Sequence, residues 1–524
     1  MRVSTAVGVF GLLFVIRSLA VFSSYFFQVD EVSLAAGAMA LVRGNGPGLY
    51  HYTPQLGYYR LVEALDLLLG ARITLVPAIM KALSAAAGAV IPVLGLFAFP
   101  ADLTLRQRSF AAFVLAINPL LWITSQYGNT ALVAAALASG GLIVLTNNPG
   151  AVGQVAGLTL FGLGMLVRAD TALLAPVLAF VVYRNERAIG RVAKRILPLG
   201  IVMAAIYAVI LAYDPMADDA LLAVSQHMSS ESERHFWGFL LWSLSPIPLM
   251  LALWGLRCLA ESNRELFVAL LLWCVPTLVF YASAATIPRY FLNVAVPLSI
   301  AGAVGMTDLA ERIPRLAVVG VASLHLLVGF GYLAWDRGIA APLRGGNAPT
   351  QPGEELPTGA LLYRTFSNRG ILLWSLPNPQ FGKTNRYWEP ATFDRALGVL
   401  ADQRAPRRTV VFILSGGWNH ALHYHAQVAG ARYISQRRAD GSGPMSGDTW
   451  MEIGHTRVEA LTWRPRPYAL VTRFDIVSGD EIWVLGTKPF PDNESLQKMP
   501  PGLVLVAAES FDPNIRVFRV VAAS

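Results

Sequence analysis

TAVGVFGLLFVIRSLAVFSSYFF, residues 5–27, runs directly into QVDE, residues 28–31. A stretch this long and this apolar crosses a hydrocarbon core of about 30 Å as a single helix. Only Arg17 interrupts it, and it ends on an adjacent acidic pair, Asp30-Glu31. Two acids do nothing to anchor a span, and charge at a membrane boundary is costly unless it is paired or wet. The outer end of this first span is therefore where chemistry is expected, with Asp30 placed as a base. Arg17 is expected to pair inside a helix bundle. A cleaved leader is the alternative reading of residues 5–27. The charge at Arg17 and the lack of a small-x-small site before Asp30 favour a retained span.

The same pattern recurs along the chain. Of 524 residues, 55% are hydrophobic and 14% charged, and mean hydropathy is +0.50. Uncharged runs predict about eleven spans, near 5–27, 72–99, 109–125, 129–146, 151–167, 170–183, 196–213, 236–256, 265–285, 289–306 and 315–335. Beyond them the chain is richer in charge, and its apolar runs are too short to span. The expected organisation is a polytopic α-helical membrane domain over 1–337, a Gly/Pro-rich linker over 338–357 and a soluble α/β domain over 358–524. Cys258 and Cys274 lie in or beside spans, so the soluble domain has neither a disulfide framework nor a zinc-cysteine site.

The net charge of +8 does not indicate nucleic acid, because the basic residues cluster in short loops between spans. With a cytoplasmic N-terminus, the loops falling inside are Ala101–Arg108, Asn147–Ala151, Arg184–Arg195, Arg257–Glu265 and Thr307–Arg315. Arg184, Arg187, Arg191, Lys194 and Arg195 stand against one acid, Glu186, in the third of these. The outer loops hold Asp30-Glu31, Asp214, Asp218, Asp219, Glu231 and Glu233. An odd number of crossings places the soluble domain outside. The long first outer loop, 28–71, is expected to carry two interfacial amphipathic helices. One shows Val32, Ala35, Met39 and Val42, the other Leu61, Leu65 and Leu68.

This topology gathers polar groups on the outer face. Asp30 and Glu31 follow span one; Gln126, Tyr127 and Asn129 lie in the turn after span three; Arg168 and Asp170 follow span five; Arg289 and Tyr290 follow span nine. Arg168 and Asp170 form either a local ion pair or part of a site lining. A carboxylate beside cations suits transfer from a phosphate-activated donor. The carboxylate takes the proton of an attacking hydroxyl, and the cations stabilise charge growing on the leaving phosphate.

In this order the residues resemble the GT-C superfamily of membrane glycosyltransferases, nearest to its protein O-mannosyltransferase and lipid A aminoarabinose transferase branch. The stretches that carry the likeness are Arg17 followed by Asp30-Glu31, TPQLGYY at 53–59, Asn118-Pro119-Leu120 through Gly128-Asn129, GLGMLVRAD at 162–170, and Pro288-Arg289-Tyr290 leading to Pro297. The resemblance implies a sugar donor on polyprenyl phosphate and an acceptor hydroxyl on a glycan, lipid or protein. It also implies inversion at the anomeric carbon and no cofactor or metal. Carried over, Asp30 is the general base and Glu31 its helper. Arg289 and Arg168 hold the donor phosphate, with Tyr290, Tyr58 and Tyr59 on donor lipid or sugar. His51, Tyr127, Asn129 and Asp170 are candidates for acceptor or sugar contacts. Aminoarabinose transferases carry an acid–base pair just before the first-loop proline, where this chain has Tyr52-Thr53, so the same donor and acceptor are not implied. The expected location is the inner (plasma) membrane, with the active site and C-terminal domain extracytoplasmic.

In the soluble domain, strands are expected at Thr409–Leu414, Tyr468–Phe474, Glu481–Thr487, Leu503–Ala508 and Arg516–Val521, and a helix at Trp418–Val428. Ser415-Gly416-Gly417 fits an ordinary βα turn better than a ligand loop. His420, His423 and His425 fit a packed cluster better than a metal set, since 425 leaves the face shared by 420 and 423. Two rival functions remain. A flippase or transporter of a lipid-linked sugar calls for paired, interrupted spans in two matching halves, and no internal repeat is visible. A scaffold protein would tolerate loss of Asp30.

Overall fold

The structure is a computed structural model. It describes residues 3–18, 29–42, 55–125, 127–213, 240, 246–283, 288–312, 320, 390–401, 408–414, 418–435, 449–462, 476–485 and 501–523. These residues form two compact units. One contains the first helix, the segment His51–Leu65 and the helices from Pro77 onward. The other contains Val29–Tyr50, Asp66–Val76 and the C-terminal sheet domain.

The helical unit is built from α1 (Val3–Arg17), the start of α3 (Leu56–Leu68), α4 (Val76–Phe97), α5 (Leu105–Ala116), α6 (Pro119–Thr124), α7 (Thr130–Asn147), α8 (Ala151–Val167), α9 (Ala175–Glu186), α10 (Ile189–Tyr213), α11 (Pro246–Ser262), α12 (Arg264–Ala282) and α13 (Leu292–Arg312). Among the described residues, five runs are long and apolar enough to cross a membrane: Ile73–Phe97, Thr130–Asn147, Ile189–Ile210, Arg264–Ala282 and Leu292–Arg312. Ser4–Arg17 and Ala151–Val167 are shorter apolar helices. The expected count of about eleven is therefore not reproduced. The stretch 109–125 is split into α5 and α6 at Asn118-Pro119, where proline pushes its predecessor out of helical geometry. The stretch 170–183 opens on a 3-10 turn, Ala169–Leu174, before α9. Span 315–335, apart from residue 320, lies outside the described residues, as do Asp214, Asp218, Asp219, Glu231, Glu233 and the linker 338–357.

The helix α13 is the axis of the unit: every residue from Leu292 to Thr307 is buried. Small residues make that possible. A Cβ on Gly255 of α11 would stand 1.8 Å from the Ala301 carbonyl oxygen, and one on Gly305 would stand 2.2 Å from that of Leu251. The two backbones therefore touch, as in membrane helix pairs packed through glycine. In contrast, α10 turns Ile189, Leu197, Ile201, Val202 and Val209 outward, an arrangement suited to a lipid solvent rather than water.

Four of the five loops expected to share one side are bonded to one another at one end of the bundle, and residues at or beside the fifth, Asn147–Ala151, bond to the same end. Arg184 grips Asp102 with both Nη atoms, at 2.8 and 2.7 Å, and Asn263 donates to the same carboxylate at 2.9 Å. Arg187 bonds Glu265 at 2.7 Å. Gln107 donates to Thr307 at 3.3 Å. Asn147 donates to the Phe97 carbonyl and Gln154 to Glu186, each at 2.9 Å. Burial raises the Asp102 pKa, and the bonds and charge of Arg184 with the bond from Asn263 outweigh it, leaving the carboxyl below its ordinary range.

The second unit joins α2 (Val29–Val42) and the short Asp66–Val76 segment to a mixed seven-stranded sheet of order β2-β3-β4-β1-β5-β7-β6. The strands are β1 (Arg408–Leu414), β2 (Arg432–Ser435), β3 (Thr449–Ile453), β4 (Thr456–Thr462), β5 (Glu481–Leu485), β6 (Leu503–Ala508) and β7 (Ile515–Ala522). Central β1 is parallel to both neighbours, β4 and β5, and the other pairs are antiparallel. Val411, Ile413, Ile482, Val484, Phe518 and Val520 form one core face. Two helices accompany the sheet, α14 (Pro390–Ala401) and α15 (Trp418–Val428). The α/β expectation holds for this domain. The strand expected at Tyr468–Phe474 lies outside the described residues, and the β3–β4 hairpin was not anticipated.

The first-loop helices differ from the expected amphipathic pair. Residues 34–39 of α2 are all buried, and the helix packs along α15, so this stretch has no polar face. In α3 the buried stripe is Tyr58, Tyr59, Val62 and Asp66, whereas Leu68 is 81% exposed and Leu67 and Leu69 are also open. The aromatic side chains, not the leucines, are the ones taken inside.

Candidate active site

The end of the bundle opposite the Asp102 network is built around buried polar groups. Arg17 ends α1 and is 1% exposed. Its Nη1 donates to the Leu121 carbonyl at 2.8 Å and to the Ser125 hydroxyl at 3.2 Å, and its Nη2 donates to the Ala116 carbonyl at 3.0 Å. The Ala116 carbonyl ends α5 at the break before Pro119, the Leu121 carbonyl also accepts from the Ser125 amide at the end of α6, and a guanidinium is well matched to such acceptors in charge and shape. It also lies over the Trp122 ring, 5.2 Å from its centroid. The expected internal pairing of Arg17 is thus met by carbonyls and a hydroxyl.

The turn that follows is equally fixed. Asn129 caps α7, its Oδ1 accepting from the Leu132 amide at 3.2 Å. Its own amide donates to Ser84 of α4 at 2.8 Å, and its Nδ2 donates to the Tyr127 hydroxyl at 3.0 Å. Lys81, one turn before Ser84 on the same helix face, is 1% exposed. The sequence reading passed over this lysine, although a cation inside the apolar run 72–99 was visible there and is a functional signal by itself. Asp66 was missed too. It is fully buried, its carboxylate has no hydrogen-bond partner among the described residues, and burial raises its pKa.

Arg168 and Asp170 meet directly. The Arg168 Nε lies 2.8 Å from Asp170 Oδ1 and its Nη2 2.8 Å from Oδ2, and the Tyr281 hydroxyl of α12 donates to the same Oδ2. The Tyr290 ring stacks on Tyr281 at 4.7 Å and lies 5.1 Å from the Arg168 guanidinium carbon. Tyr290 belongs to a 3-10 turn, Pro288–Phe291, which carries Arg289 and touches α6, α7, α12 and α13. The start of α3 lies against the last turn of α8, since a Cβ on Gly57 would fall 2.6 Å from the Leu166 carbonyl carbon. Tyr58 and Tyr59 are buried beside it, edge to face with ring centroids 6.4 Å apart.

Of the residues singled out in the sequence, Arg168, Asp170, Tyr290, Tyr127, Asn129, Tyr58 and Tyr59 therefore lie in the helical unit, with the backbone of Arg289. Asp30 and Glu31 occupy the first turn of α2, in the sheet unit. Acids there also favour the helix N-terminus. His51 and Gln126 lie outside the described residues. In the sheet domain, His425 pairs with Asp394 at 3.1 Å and stacks on Phe393 at 5.3 Å. The bond from His425 holds the Asp394 carboxyl below its ordinary range. Among the described residues, no three His, Cys, Asp or Glu side chains gather as a metal-ligand set.

No protein-family model and no curated protein matches this sequence. Solved structures do match. ArnT from Cupriavidus metallidurans, bound to undecaprenyl phosphate, superposes with a TM-score of 0.60 at 14% identity, over 100% of this chain and 99% of that one. The same protein in its apo state gives 0.60 at 13% identity, over 98% of each chain. The arabinofuranosyltransferase AftD from Mycobacteria gives 0.50 at 14% identity, over 100% of this chain and 40% of AftD. The chain therefore shares its fold with ArnT from end to end.

Proposed function

We propose that this protein is an integral membrane glycosyltransferase that moves a sugar from polyprenyl phosphate to an acceptor hydroxyl on the outer membrane face. The observation carrying this is the end-to-end likeness to ArnT, whose structure was solved with undecaprenyl phosphate. In this reading Asp30 takes the acceptor hydroxyl proton as the oxygen attacks the anomeric carbon. The bond to the phosphate oxygen breaks with inversion, and polyprenyl phosphate leaves with the electron pair. Arg289 stabilises the phosphate charge as it grows, Arg168, paired with Asp170, backs the Tyr290 ring beside it, and Glu31 orients the base. Tyr58 and Tyr59 face donor lipid or sugar, and His51 and Tyr127 face sugar or acceptor. Asn129 and Asp170, each committed to a neighbour, act by holding the site's walls.

The test is transfer by the purified protein in lipid. A panel of polyprenyl-phosphate sugars is offered with an envelope extract as acceptor, and wild type is compared with Asp30→Asn. Transfer that falls about 10²–10⁴-fold in a folded variant supports the base assignment. Absence of transfer from every donor sinks the enzyme reading, and equal transfer by Asp30→Asn removes Asp30 as base.

A further inference from the structure

Arg289 sits in a turn of four residues, too short to fix a long cation by its own backbone bonds. On the side of α8 and α12, the next residue ties the turn down. The Tyr290 ring is enclosed between the Arg168 guanidinium, 5.1 Å from its centroid, and the Tyr281 ring, at 4.7 Å with planes 20° apart. The two flanking groups are themselves joined. Arg168 makes a two-atom contact to Asp170, and the Tyr281 hydroxyl donates to the same carboxylate. The result is a closed ring of contacts, Tyr290–Arg168–Asp170–Tyr281, spanning the α8–α9 connection, α12 and the 3-10 turn.

Two features separate this ring from a ligand site. The Arg168 charge is already balanced by Asp170, so the pair adds no net attraction for a phosphate. Every member is largely or fully buried: Tyr281 is 1% exposed, and the Arg168 and Asp170 side chains 15% and 17%. We infer that Tyr281 is a positioning residue for Arg289, acting through the Asp170 carboxylate and the Tyr290 ring, and that Asp170 serves this clamp rather than contacting acceptor. Loss of the Tyr281 hydroxyl leaves the ring stack in place but frees one side of the carboxylate. Arg168 and Tyr290 then relax together, and the turn carrying Arg289 loses its fixed register.

The inference rests on the donor-phosphate role proposed for Arg289, and the experiment separates the two. Undecaprenyl phosphate is titrated into full-length protein in detergent, with tryptophan fluorescence as readout, for wild type, Tyr281→Phe, Arg289→Ala and the double variant. The expected result is roughly tenfold weaker binding for Tyr281→Phe, a larger loss for Arg289→Ala, and no further loss in the double variant, because coupled residues are not additive. In transfer assays Tyr281→Phe should raise the donor KM by a similar factor and leave kcat within about twofold. Additive losses in the double variant, or unchanged binding by Tyr281→Phe, overturn the clamp while leaving the donor site standing. Unchanged binding by Arg289→Ala overturns the phosphate role, and the clamp's purpose with it. If Tyr281→Phe proves poorly folded, Asp170→Asn is titrated instead: weaker binding that does not add to the loss in Arg289→Ala supports the clamp, and unchanged binding overturns it.

Discussion

At the scale of single residues, Arg17 shows how one side chain replaces secondary structure. The break at Asn118-Pro119 leaves the Ala116 carbonyl at a helix end inside an apolar bundle, where an unmet acceptor costs about 1–3 kcal/mol. Arg17 meets it, and donates as well to the Leu121 carbonyl and the Ser125 hydroxyl. Arg17→Met is therefore expected to destabilise the protein by at least about 2 kcal/mol, read as a lower thermal aggregation midpoint in detergent. Arg17→Lys should recover only part of this, because one ammonium cannot reproduce the planar fork across separated acceptors. An unchanged midpoint for Arg17→Met would mean that water serves these carbonyls. That Arg17 needed a partner was legible from its place in an apolar run. That its partners are backbone groups a hundred residues away was not, since backbone acceptors leave no mark in a sequence.

At the scale of elements, the contact of α11 with α13 is set by what is missing. Gly255 and Gly305 let the backbones meet, and any Cβ there collides with a carbonyl. Gly305→Leu should cost about 1–3 kcal/mol or more, and Gly302→Leu much less, because a Cβ on Gly302 finds nothing nearer than 3.5 Å. Comparing the two variants' melting midpoints and yields checks the assignment, and equal effects would show that the crossing point lies elsewhere. The helix α2 teaches the opposite lesson. Its Val32–Ala35–Met39–Val42 stripe reads as one apolar face, yet residues 34–39 are buried all round against the sheet unit. Ala35, Ala36 and Ala38 are small enough for any face, so periodicity could not tell a half-exposed helix from an enclosed one. The β3–β4 hairpin escaped for a related reason. Its strands alternate, but the turn between them, Gly454-His455, lacks the Asn-Gly or Asp-Gly signature, and only the positive φ of Gly454 gives it away.

At the scale of the whole molecule, charge placement and structure agree on which loops belong together. Four of the five expected inner loops are bonded to one another, and Arg17, Ser125, Asn129, Arg168 and Tyr290 lie at the other end. Which end faces the cytoplasm is testable by labelling. In a chain with Cys258 and Cys274 replaced by alanine, cysteine is introduced at exposed Arg191 or at exposed Val477 in the sheet domain. A membrane-impermeant maleimide applied to whole cells should modify Val477→Cys and spare Arg191→Cys until the cells are lysed. Labelling in the reverse order would invert the topology, and equal labelling of intact cells would contradict an odd number of crossings.

The sequence alone determined that this is a polytopic helical protein with an α/β domain, because hydrophobic length and charge asymmetry act locally and are written residue by residue. It also put Arg168 and Asp170 in one turn, with an ion pair and a site lining both open, and gave Arg17 a partner to find, since an ionised group in an apolar run must be compensated. Only the tertiary structure decided what those groups touch. Tyr281, one aromatic among several in α12, carries no local sign of its role and acquires it by meeting Asp170 from 111 residues away. The enclosure of Tyr290 and the burial of Lys81 arise the same way. They depend on which helix faces meet, and that is settled by packing across the whole bundle rather than by any single stretch of chain.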